Sequence, residues 1–338
     1  MPWDRIWYGD GTLARAVRGA LVPLSALYAG GVAFRNALYD RGTLRIRPAP
    51  LPALSVGNLG VGGAGKTPLA AWLAARLREL GARPAIVLRG YGGDEPDVHR
   101  TLNPDVLVIA DPDRQRGAAH ARARGCDVVV YDDAFQHRRA ARLVDLVLVN
   151  ADRWPEVPRM LPAGPWREPL TSLARATLVV VTRKTSDAAR AAAVAARLGP
   201  LTAAGRAAVV ALMPGALHRV GGVETVALDS IRECRVLAIA GIAHPGAFGA
   251  QLSNAGATVD LAAYPDHHRF SAADVQRLVA RAVAADLVVC TLKDAVKLRD
   301  QWPRAAPPLW YVSLRCEPEA GAEALEGLLR RLLAARNP

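Results

Sequence analysis

The sequence predicts an α/β fold with a mainly parallel sheet, divided into two domains. From Leu51 onwards, short β-rich runs alternate with amphipathic stretches, and this alternation is typical of βαβ units. The chain has 338 residues, and single hydrophobic cores tend to split into domains beyond ~250–300 residues. Because 51% of the residues are hydrophobic and only 22% are charged, an extended or disordered chain is excluded.

The elements of the first domain follow each other in a regular order. Strands are expected at residues 53–56, 85–88, 106–110, 127–131, 145–150 and 178–182. Helices are expected at residues 67–80, 114–124 and 186–198. A glycine follows each of these helices, and glycine is the usual residue just beyond a helix end. We place this first domain at residues 51–204.

Beyond Gly199 and Pro200 the pattern changes to a second, smaller α/β domain at residues 205–338. Residues 207–212 and 218–228 are expected to form a β-ribbon hinge, within residues 205–230, that turns at Met213-Pro214-Gly215. Further strands are expected near residues 235–240, 258–263, 287–291 and 309–314. Helices are expected near residues 246–255, 271–285 and 319–335, the last being C-terminal.

The N-terminal segment, residues 1–50, has the pattern of an amphipathic helix. Its apolar face comprises Leu13, Val17, Ala20, Leu21 and Leu24. Arg15 and Arg18 lie on the opposite side, which is typical of a helix in a membrane interface. The same periodicity also suits a helix packed on the protein's own core. The longest charge-free run, residues 19–34, is shorter than the ~20 apolar residues of a spanning helix, and we expect neither a spanning segment nor a signal peptide.

The charge balance favours an anionic partner. The chain has 43 Lys and Arg against 31 Asp and Glu, a formal net charge of +12. Nucleic acid, an acidic membrane surface and a phosphorylated substrate all remain open on this ground. Only Lys66, Lys184, Lys293 and Lys297 are lysines. The four cysteines are scattered without a CxxC pair, so we expect a reducing cytoplasm rather than disulfides or a zinc site.

A phosphate-binding loop lies between the first predicted strand and helix. Residues 60–67 read GVGGAGKT and match G-x-x-x-x-G-K-[ST] in full. Lys66 would neutralise the β- and γ-phosphates, and the Thr67 hydroxyl would hold Mg²⁺. The backbone amides expected to surround the phosphates belong to Gly60, Gly62, Gly63, Ala64, Gly65, Lys66 and Thr67. The motif predicts a P-loop NTPase-type sheet in the first domain.

Asp132 and Asp133 close a predicted strand, where a nucleotide-binding sheet presents a carboxylate to the metal. Such a pair can also be a helix cap or a turn, but the phosphate loop upstream favours a Walker B arrangement. Gln136 and His137 follow closely and could orient water, metal or substrate. The sequence therefore predicts a magnesium-nucleotide site at this edge of the sheet.

Seven strings resemble the tetraacyldisaccharide 4′-kinases of lipid A biosynthesis. They are VGNL at 56–59, VGGAGKTP at 61–68, RGYGG at 89–93, DDAFQH at 132–137, LPAGPWREP at 161–169, PDHH at 265–268 and TLKDAV at 291–296. They follow the family's order, and LPAGPxRE and PDHH are far more specific than a phosphate loop.

The resemblance implies a lipid kinase. Its reaction would be transfer of the ATP γ-phosphoryl to the 4′-hydroxyl of a tetraacylated glucosamine disaccharide 1-phosphate, with ATP and Mg²⁺ as cofactors. Its partners would be that acylated disaccharide 1-phosphate lipid and the anionic inner-membrane surface. The protein would lie peripherally on the cytoplasmic face of the bacterial inner membrane, with neither nucleic acid nor an obligate protein partner.

The resemblance also implies roles for individual residues. Asp94, in a GDEP string, would be the catalytic base, paired with His267 and assisted by Lys66. His267 fits the family position better than His268, and the choice stays open. We expect Asp94 and His267 to meet only when the two domains close. The metal would be held by Thr67, Asp132, Gln136 and Glu168. The acceptor would be bound by Asn58, Arg89, Tyr91, Glu95, Asp133, His137 and Arg167.

Two other classes share some of these features. A membrane-recruited P-loop NTPase switch would have the same loop and the same aspartate. A guanine-specific switch should also carry an [NT]KxD string, but residues 291–294 read TLKD and residues 182–185 read TRKT. A nucleic-acid ATPase would suit the charge, but the sequence has no nucleic-acid module and no basic stretch interleaved with aromatic residues.

Overall fold

The structure is a computed structural model that describes residues 2–90, 93–155 and 157–336. Its strands are β1 Ala53–Asn58, β2 Pro84–Leu88, β3 Leu107–Ala110, β4 Val128–Asp132, β5 Val144–Asn150, β6 Leu178–Arg183, β7 Ala207–Arg219, β8 Thr225–Val226, β9 Arg235–Ala240, β10 Thr258–Ala263, β11 Leu287–Thr291 and β12 Leu309–Ala320. Its α-helices are α1 Pro2–Tyr8, α2 Thr12–Asp40, α3 Lys66–Glu79, α4 Glu95–Leu102, α5 Arg114–Ala123, α6 Ala188–Leu198, α7 Pro245–Asn254, α8 Ala272–Ala282, α9 Leu292–Leu298 and α10 Ala322–Ala334.

The described residues form two compact units. The first contains residues 2–90, 99–155, 157–210 and 318–336, and the second contains residues 93–98 and 211–317. The short segment around Asp94 therefore packs with the second unit, although it lies between strands of the first. The C-terminal segment packs with the first unit, which differs from the sequence-based division at residue 205.

The first unit is built on parallel strands in the order β6-β5-β1-β4-β2-β3. All six residues of β1 are buried, because the strand lies in the middle of this sheet. In the pairing of β1 with β4, Val56 lies opposite Asp132. The carboxyl ends of parallel strands share one edge, so this register brings the phosphate loop and Asp132 to the same edge.

The second unit contains parallel strands in the order β10-β9-β11-β12. Helix α8 begins with a capping box in which the Ser271 side chain and Asp274 satisfy each other's backbone amides. The core of this unit includes Leu237, Ile239, Leu278 and Leu298. Both units thus confirm the predicted α/β class with mainly parallel strands.

The predicted turn at Met213-Pro214-Gly215 is wrong. Strand β7 runs unbroken through these residues to Arg219, and the chain turns afterwards to pair β8 antiparallel with Leu217 and His218. Gly215 instead permits close packing, because a Cβ there would lie 2.5 Å from Ser313 Oγ. That hydroxyl donates to the Ala216 carbonyl oxygen at 3.1 Å. The glycine therefore marks a close approach inside a strand.

The C-terminal helix begins later than the sequence predicts. Strand β12 continues to Ala320, and α10 follows Gly321, whose φ of 70° is a left-handed conformation that favours glycine. Glu319 thus belongs to a strand and forms an ion pair with Arg183. Within the first unit, Arg76 of α3 donates to Glu326 of α10 at 2.7 Å.

Helix α2 is longer than the predicted amphipathic run. It spans 29 residues, continues through Pro23, and has one buried residue, Ser25. Its most apolar 18-residue window has a mean hydropathy of 1.4 and is 6% buried, so by length and composition it could cross a membrane. Arg18 is not free on its polar side, because its guanidinium donates to the carbonyl oxygens of Ile6 and Gly9 at 2.6 Å each. This residue ties α1 to α2.

Candidate active site

The phosphate loop is anchored on both flanks and open in the middle. The amide of Val61 donates to the Pro165 carbonyl oxygen at 2.8 Å, and the Thr182 hydroxyl donates to the Ala64 carbonyl oxygen at 2.9 Å. Gly62 and Gly65 adopt φ values of 108° and 80°, a region that favours glycine. Gly62 and Gly63 are exposed, while Thr67 is buried in the first turn of α3. The loop therefore presents its backbone to the solvent side, as phosphate binding requires.

Lys66 lies in a cluster of four residues that the sequence assigned to the site. Its Nζ donates to Asn58 Oδ1 at 3.1 Å and lies 3.5 Å from Asp133 Oδ1. Arg167 completes the cluster, because its Nη2 donates to the same Asn58 oxygen and to Asp133 Oδ1, the latter at 3.0 Å. Two cations thus meet beside the phosphate loop, where they can bind phosphate oxygens.

Asp133 is the carboxylate that these cations surround. Burial favours its neutral form, but the charges of Lys66 and Arg167 outweigh that effect and lower the pKa of Asp133 to about 2. Its backbone has a φ of 51°, a left-handed conformation that is uncommon for a residue other than glycine. Asp133 therefore stays ionised at neutral pH and neutralises part of the local positive charge.

Three of the four expected metal ligands have a buried side-chain oxygen with no hydrogen-bond partner among the described residues. Asp132 Oδ1, Gln136 Oε1 and Glu168 Oε1 are buried and accept no hydrogen bond from the described residues. The other oxygen of Glu168 is held by Arg175 and by Asn36 Nδ2, the latter at 3.2 Å. Gln136 Nε2 donates to the Asn58 carbonyl oxygen at 2.9 Å. Hard, unpaired oxygens of this kind suit Mg²⁺.

The described residues contain no group of three or more His, Cys, Asp or Glu side chains that could hold a metal alone. Mg²⁺ is usually bound through one or two carboxylates together with water and substrate phosphates. The Thr67 hydroxyl at the start of α3 is the fourth expected ligand. The residues present therefore fit a magnesium ion that arrives with its nucleotide.

Four further residues are expected to bind the acceptor: His137, Arg89, Glu95 and Tyr91. His137 is half-buried, and burial together with the charges of Arg114 and Arg142 lowers the pKa of its imidazole. Arg89 directly follows β2, and Glu95 is the first residue of α4. Tyr91 lies outside the described residues. Their assignment to the acceptor stays a prediction.

The second unit places Asp94 between a lysine and a histidine. Its carboxylate is 4% exposed, with Oδ2 3.3 Å from Lys297 Nζ and Oδ1 3.4 Å from His267 Nδ1. His268 is engaged elsewhere, because its Nε2 lies 3.1 Å from Asp274 Oδ2. The structure thus pairs Asp94 with His267. Since both residues belong to the second unit, the expectation that they meet only on domain closure is wrong.

Lys297 also contacts a second buried carboxylate, Asp294. Its Nζ lies 3.7 Å from Asp294 Oδ1, while Asp294 Oδ2 accepts from the Gly241 amide at 2.9 Å and the Thr291 hydroxyl at 2.6 Å. Burial raises the pKa of Asp294, although these two hydrogen bonds and the lysine charge oppose the shift. A Cβ at residue 241 would lie 2.8 Å from Asp294 Oδ1, so the position requires glycine.

Several neighbours of the site residues were missed from sequence. Lys297 lies beside Asp94, and its only signal was the scarcity of lysine in an arginine-rich chain. In the first unit, His99 and Arg114 contact Asp132, while Asn36 and Arg175 contact Glu168. These contacts join residues far apart in sequence, and no local pattern indicates them.

Taken together, the phosphate loop, its lysine and the carboxylate closing the adjacent parallel strand define a P-loop nucleotide-dependent phosphotransferase. The tetraacyldisaccharide-1-P 4′-kinase family model matches residues 17–334. The chain belongs to this family, as the sequence strings predicted. Fold class and the cofactors ATP and Mg²⁺ are confirmed with it.

Individual relatives agree over nearly their whole length. The tetraacyldisaccharide 4′-kinase of Halorhodospira halophila is 39% identical, with 97% of each chain covered. That of Anaeromyxobacter sp. (strain K) is 38% identical, covering 98% of this chain and 96% of the relative. The crystal structure of LpxK from Aquifex aeolicus in complex with ATP superposes with a TM-score of 0.73 at 29% identity, covering 94% of this chain and 99% of that one.

Proposed function

We propose that this chain transfers the γ-phosphoryl group of ATP to the 4′-hydroxyl of a tetraacylated glucosamine disaccharide 1-phosphate. The observation that carries the proposal is the buried carboxylate of Asp94, set between His267 and Lys297 in a chain with a complete phosphate loop. A nucleotide hydrolase needs only the loop and the metal site. A kinase also needs a group that accepts the proton of the acceptor hydroxyl.

On the nucleotide side, the amides of the phosphate loop and the ammonium of Lys66 bind the β- and γ-phosphates. Thr67, Asp132, Gln136 and Glu168 would hold Mg²⁺, which would neutralise phosphate charge. Asn58 orients Lys66 through the 3.1 Å hydrogen bond. Arg167 provides a second cation, which can stabilise the negative charge on the γ-phosphoryl group during transfer.

On the acceptor side, Asp94 accepts the proton of the 4′-hydroxyl. The hydroxyl oxygen forms a bond to the γ-phosphorus while the bond from that phosphorus to the bridging oxygen breaks, and ADP leaves. His267 orients the Asp94 carboxylate, and Lys297 offsets the cost of burying its charge. The 3.4 Å separation between Asp94 and His267 is longer than a hydrogen bond, and such contacts commonly tighten when substrate binds.

We assign the remaining polar residues of the family strings to binding of the acceptor disaccharide. Asn58, Asp133 and Arg167 form one contact cluster in the first unit. Cationic side chains there suit the phosphate groups of donor and acceptor. The full set comprises Asn58, Arg89, Tyr91, Glu95, Asp133, His137 and Arg167.

We further propose that the protein lies peripherally on the anionic cytoplasmic face of the inner membrane, with α2 in the interface. From Ser25 to Asp40 this helix is fixed to the first unit, because Ser25 Oγ donates to the Met160 carbonyl oxygen at 3.0 Å and Asp40 accepts from Arg138 at 2.6 Å. Only residues 12–24 are left, about 20 Å of helix. That is shorter than the ~30 Å hydrocarbon layer.

The outer face of α2 has the composition of an interfacial helix. Large exposed hydrophobic side chains lie along the helix at Leu13, Val22, Leu24, Leu27, Tyr28 and Phe34. An exposed apolar face on a strongly basic protein suits an anionic lipid surface, where an acylated substrate also lies. The proposal includes neither nucleic acid nor an obligate protein partner.

The acceptor requirement separates this kinase from a membrane-recruited NTPase switch. ADP formation should be measured with ATP and Mg²⁺ in detergent micelles, with and without the tetraacylated disaccharide 1-phosphate. A kinase requires the acylated acceptor for turnover. ADP formation at the same rate with empty micelles would support the switch and contradict the proposal.

A further inference from the structure

A fully buried histidine lies against the carboxylate that closes β4. His99, in α4, is 0% exposed, and its Nε2 lies 2.9 Å from Asp132 Oδ2. A neutral imidazole donates a hydrogen bond from one ring nitrogen and accepts at the other, and at this distance Nε2 forms a hydrogen bond with the carboxylate. His99 Nδ1 is also buried and has no hydrogen-bond partner among the described residues. The contact with Asp132 is therefore the hydrogen bond that the imidazole makes.

Asp132 is held at two points and left unpaired at a third. Arg114, itself 2% exposed, donates from Nη2 to the Asp132 backbone carbonyl oxygen at 3.0 Å. His99 contacts Oδ2, while Oδ1 is buried and has no hydrogen-bond partner among the residues that the structure describes. The terminal torsion of an aspartate is broad and intrinsically soft. Fixing one carboxylate oxygen therefore also fixes the position of the other.

Packing alone does not account for a histidine at this position. Leaving a buried nitrogen such as Nδ1 without a hydrogen-bond partner destabilises the folded state. An aliphatic side chain would fill similar space without that cost, but it would leave Asp132 free to rotate. The advantage of histidine lies in the hydrogen bond to Asp132.

We propose that His99 is a positioning residue for the metal-binding carboxylate: it fixes Asp132 so that Oδ1 is available to the magnesium-nucleotide. This inference rests on the proposed role of Asp132 as a magnesium ligand. Residues that hydrogen-bond to metal ligands typically contribute 10–100-fold to metal affinity.

Two amide substitutions of different length, His99→Gln and His99→Asn, test this positioning role. In His99→Gln the side-chain amide can reproduce the hydrogen bond that Nε2 makes, whereas the shorter side chain of His99→Asn cannot reach Asp132. Binding of the non-hydrolysable analogue β,γ-imido-ATP should be measured by calorimetry, with Mg²⁺ and with EDTA. The quantity compared is the gain in affinity that Mg²⁺ provides. His120→Asn, on the exposed side of α5, is the matched control.

His99→Asn should reduce the Mg²⁺-dependent gain by about 10-fold or more, while affinity in EDTA stays at the parent value. His99→Gln should retain most of the gain, and His120→Asn all of it. An unchanged gain in His99→Asn would overturn the inference. Equal losses with Mg²⁺ and EDTA, equal losses in Gln and Asn, or variants that do not fold would show a purely structural role and overturn it too.

The assay contains no lipid acceptor, so it separates this inference from the proposed kinase activity. A chain that fails to phosphorylate the disaccharide can still show the His99 effect. Asp132→Asn with an unchanged Mg²⁺-dependent gain would instead overturn the metal assignment and this inference together.

Discussion

His267 and Asp94 are neighbours inside the second unit, with Nδ1 of the histidine 3.4 Å from Oδ1 of the carboxylate. The adjacent His268 stacks on Tyr264, with ring centroids 4.7 Å apart, and pairs with Asp274. Two consecutive histidines therefore have separate tasks. His267 has a φ of 57°, a conformation that is uncommon outside glycine and often occurs at functional sites.

The Asp94–His267 pair should behave as one catalytic unit. Asp94→Ala and His267→Ala should each lower kcat by a similar factor of ~10²–10⁴. The double variant should be little worse than either single variant, because members of one unit are non-additive. Steady-state kinetics on all three variants measure this. Losses that multiply in the double variant, or a larger kcat loss in His268→Ala than in His267→Ala, would refute the pairing.

Lys297 should matter for both stability and turnover. Lys297→Met leaves the buried carboxylates of Asp94 and Asp294 without their shared cation, and breaking buried ion pairs costs ~3–5 kcal/mol. We expect a lower Tm and a lower kcat, with partial recovery of both in Lys297→Arg. Thermal unfolding and kinetics are the measurements. Parent values of Tm and kcat in Lys297→Met would show that the lysine has no such role.

Lys66→Ala should abolish phosphoryl transfer and leave the fold intact. Asp133 retains Arg167 at 3.0 Å when the lysine is removed, so no carboxylate is left without a cation. Activity and circular dichroism should be measured on the same sample. Near-normal turnover by a folded Lys66→Ala variant would contradict the phosphate-loop assignment.

The apolar face of α2 should bind anionic vesicles. Leu27 and Val283 are 75% and 78% exposed, but only Leu27 lies on α2. Leu27→Asp should reduce sedimentation with phosphatidylglycerol vesicles, since binding scales with buried apolar area, while Val283→Asp should not. Arg15→Glu should weaken binding by ~1 kcal/mol per charge removed near the surface. Equal binding by Leu27→Asp and the parent would contradict an interfacial α2.

Sequence patterns were sufficient where local chemistry decides the structure. The phosphate loop at residues 60–67 and the start of the helix expected near residues 271–285 depend on neighbours in the chain, and both elements occur where expected. The prediction of a turn at residues 213–215 was wrong, because Gly215 instead leaves room for the side chain of Ser313, a residue distant in sequence. Helices α4 and α9, of eight and seven residues, are too short for a clear period.

The candidate site shows the same limit. The resemblance to the family predicted the pairing of Asp94 with His267. The hydrophobic pattern around these two residues indicates no contact between them. Lys297 and His99 were missed, because each acts through a carboxylate far away in the chain. A single lysine or histidine in a helix has no sequence feature that distinguishes it from other helical residues. Its partner is identified only by the tertiary structure.

The most direct test of the account is label transfer from γ-phosphate-labelled ATP to tetraacylated disaccharide 1-phosphate in mixed micelles. The parent protein should form one labelled lipid product with the phosphate at the 4′ position, and Lys66→Ala and Asp94→Ala should form none. Label released only as inorganic phosphate, at a rate independent of the acceptor, would contradict it.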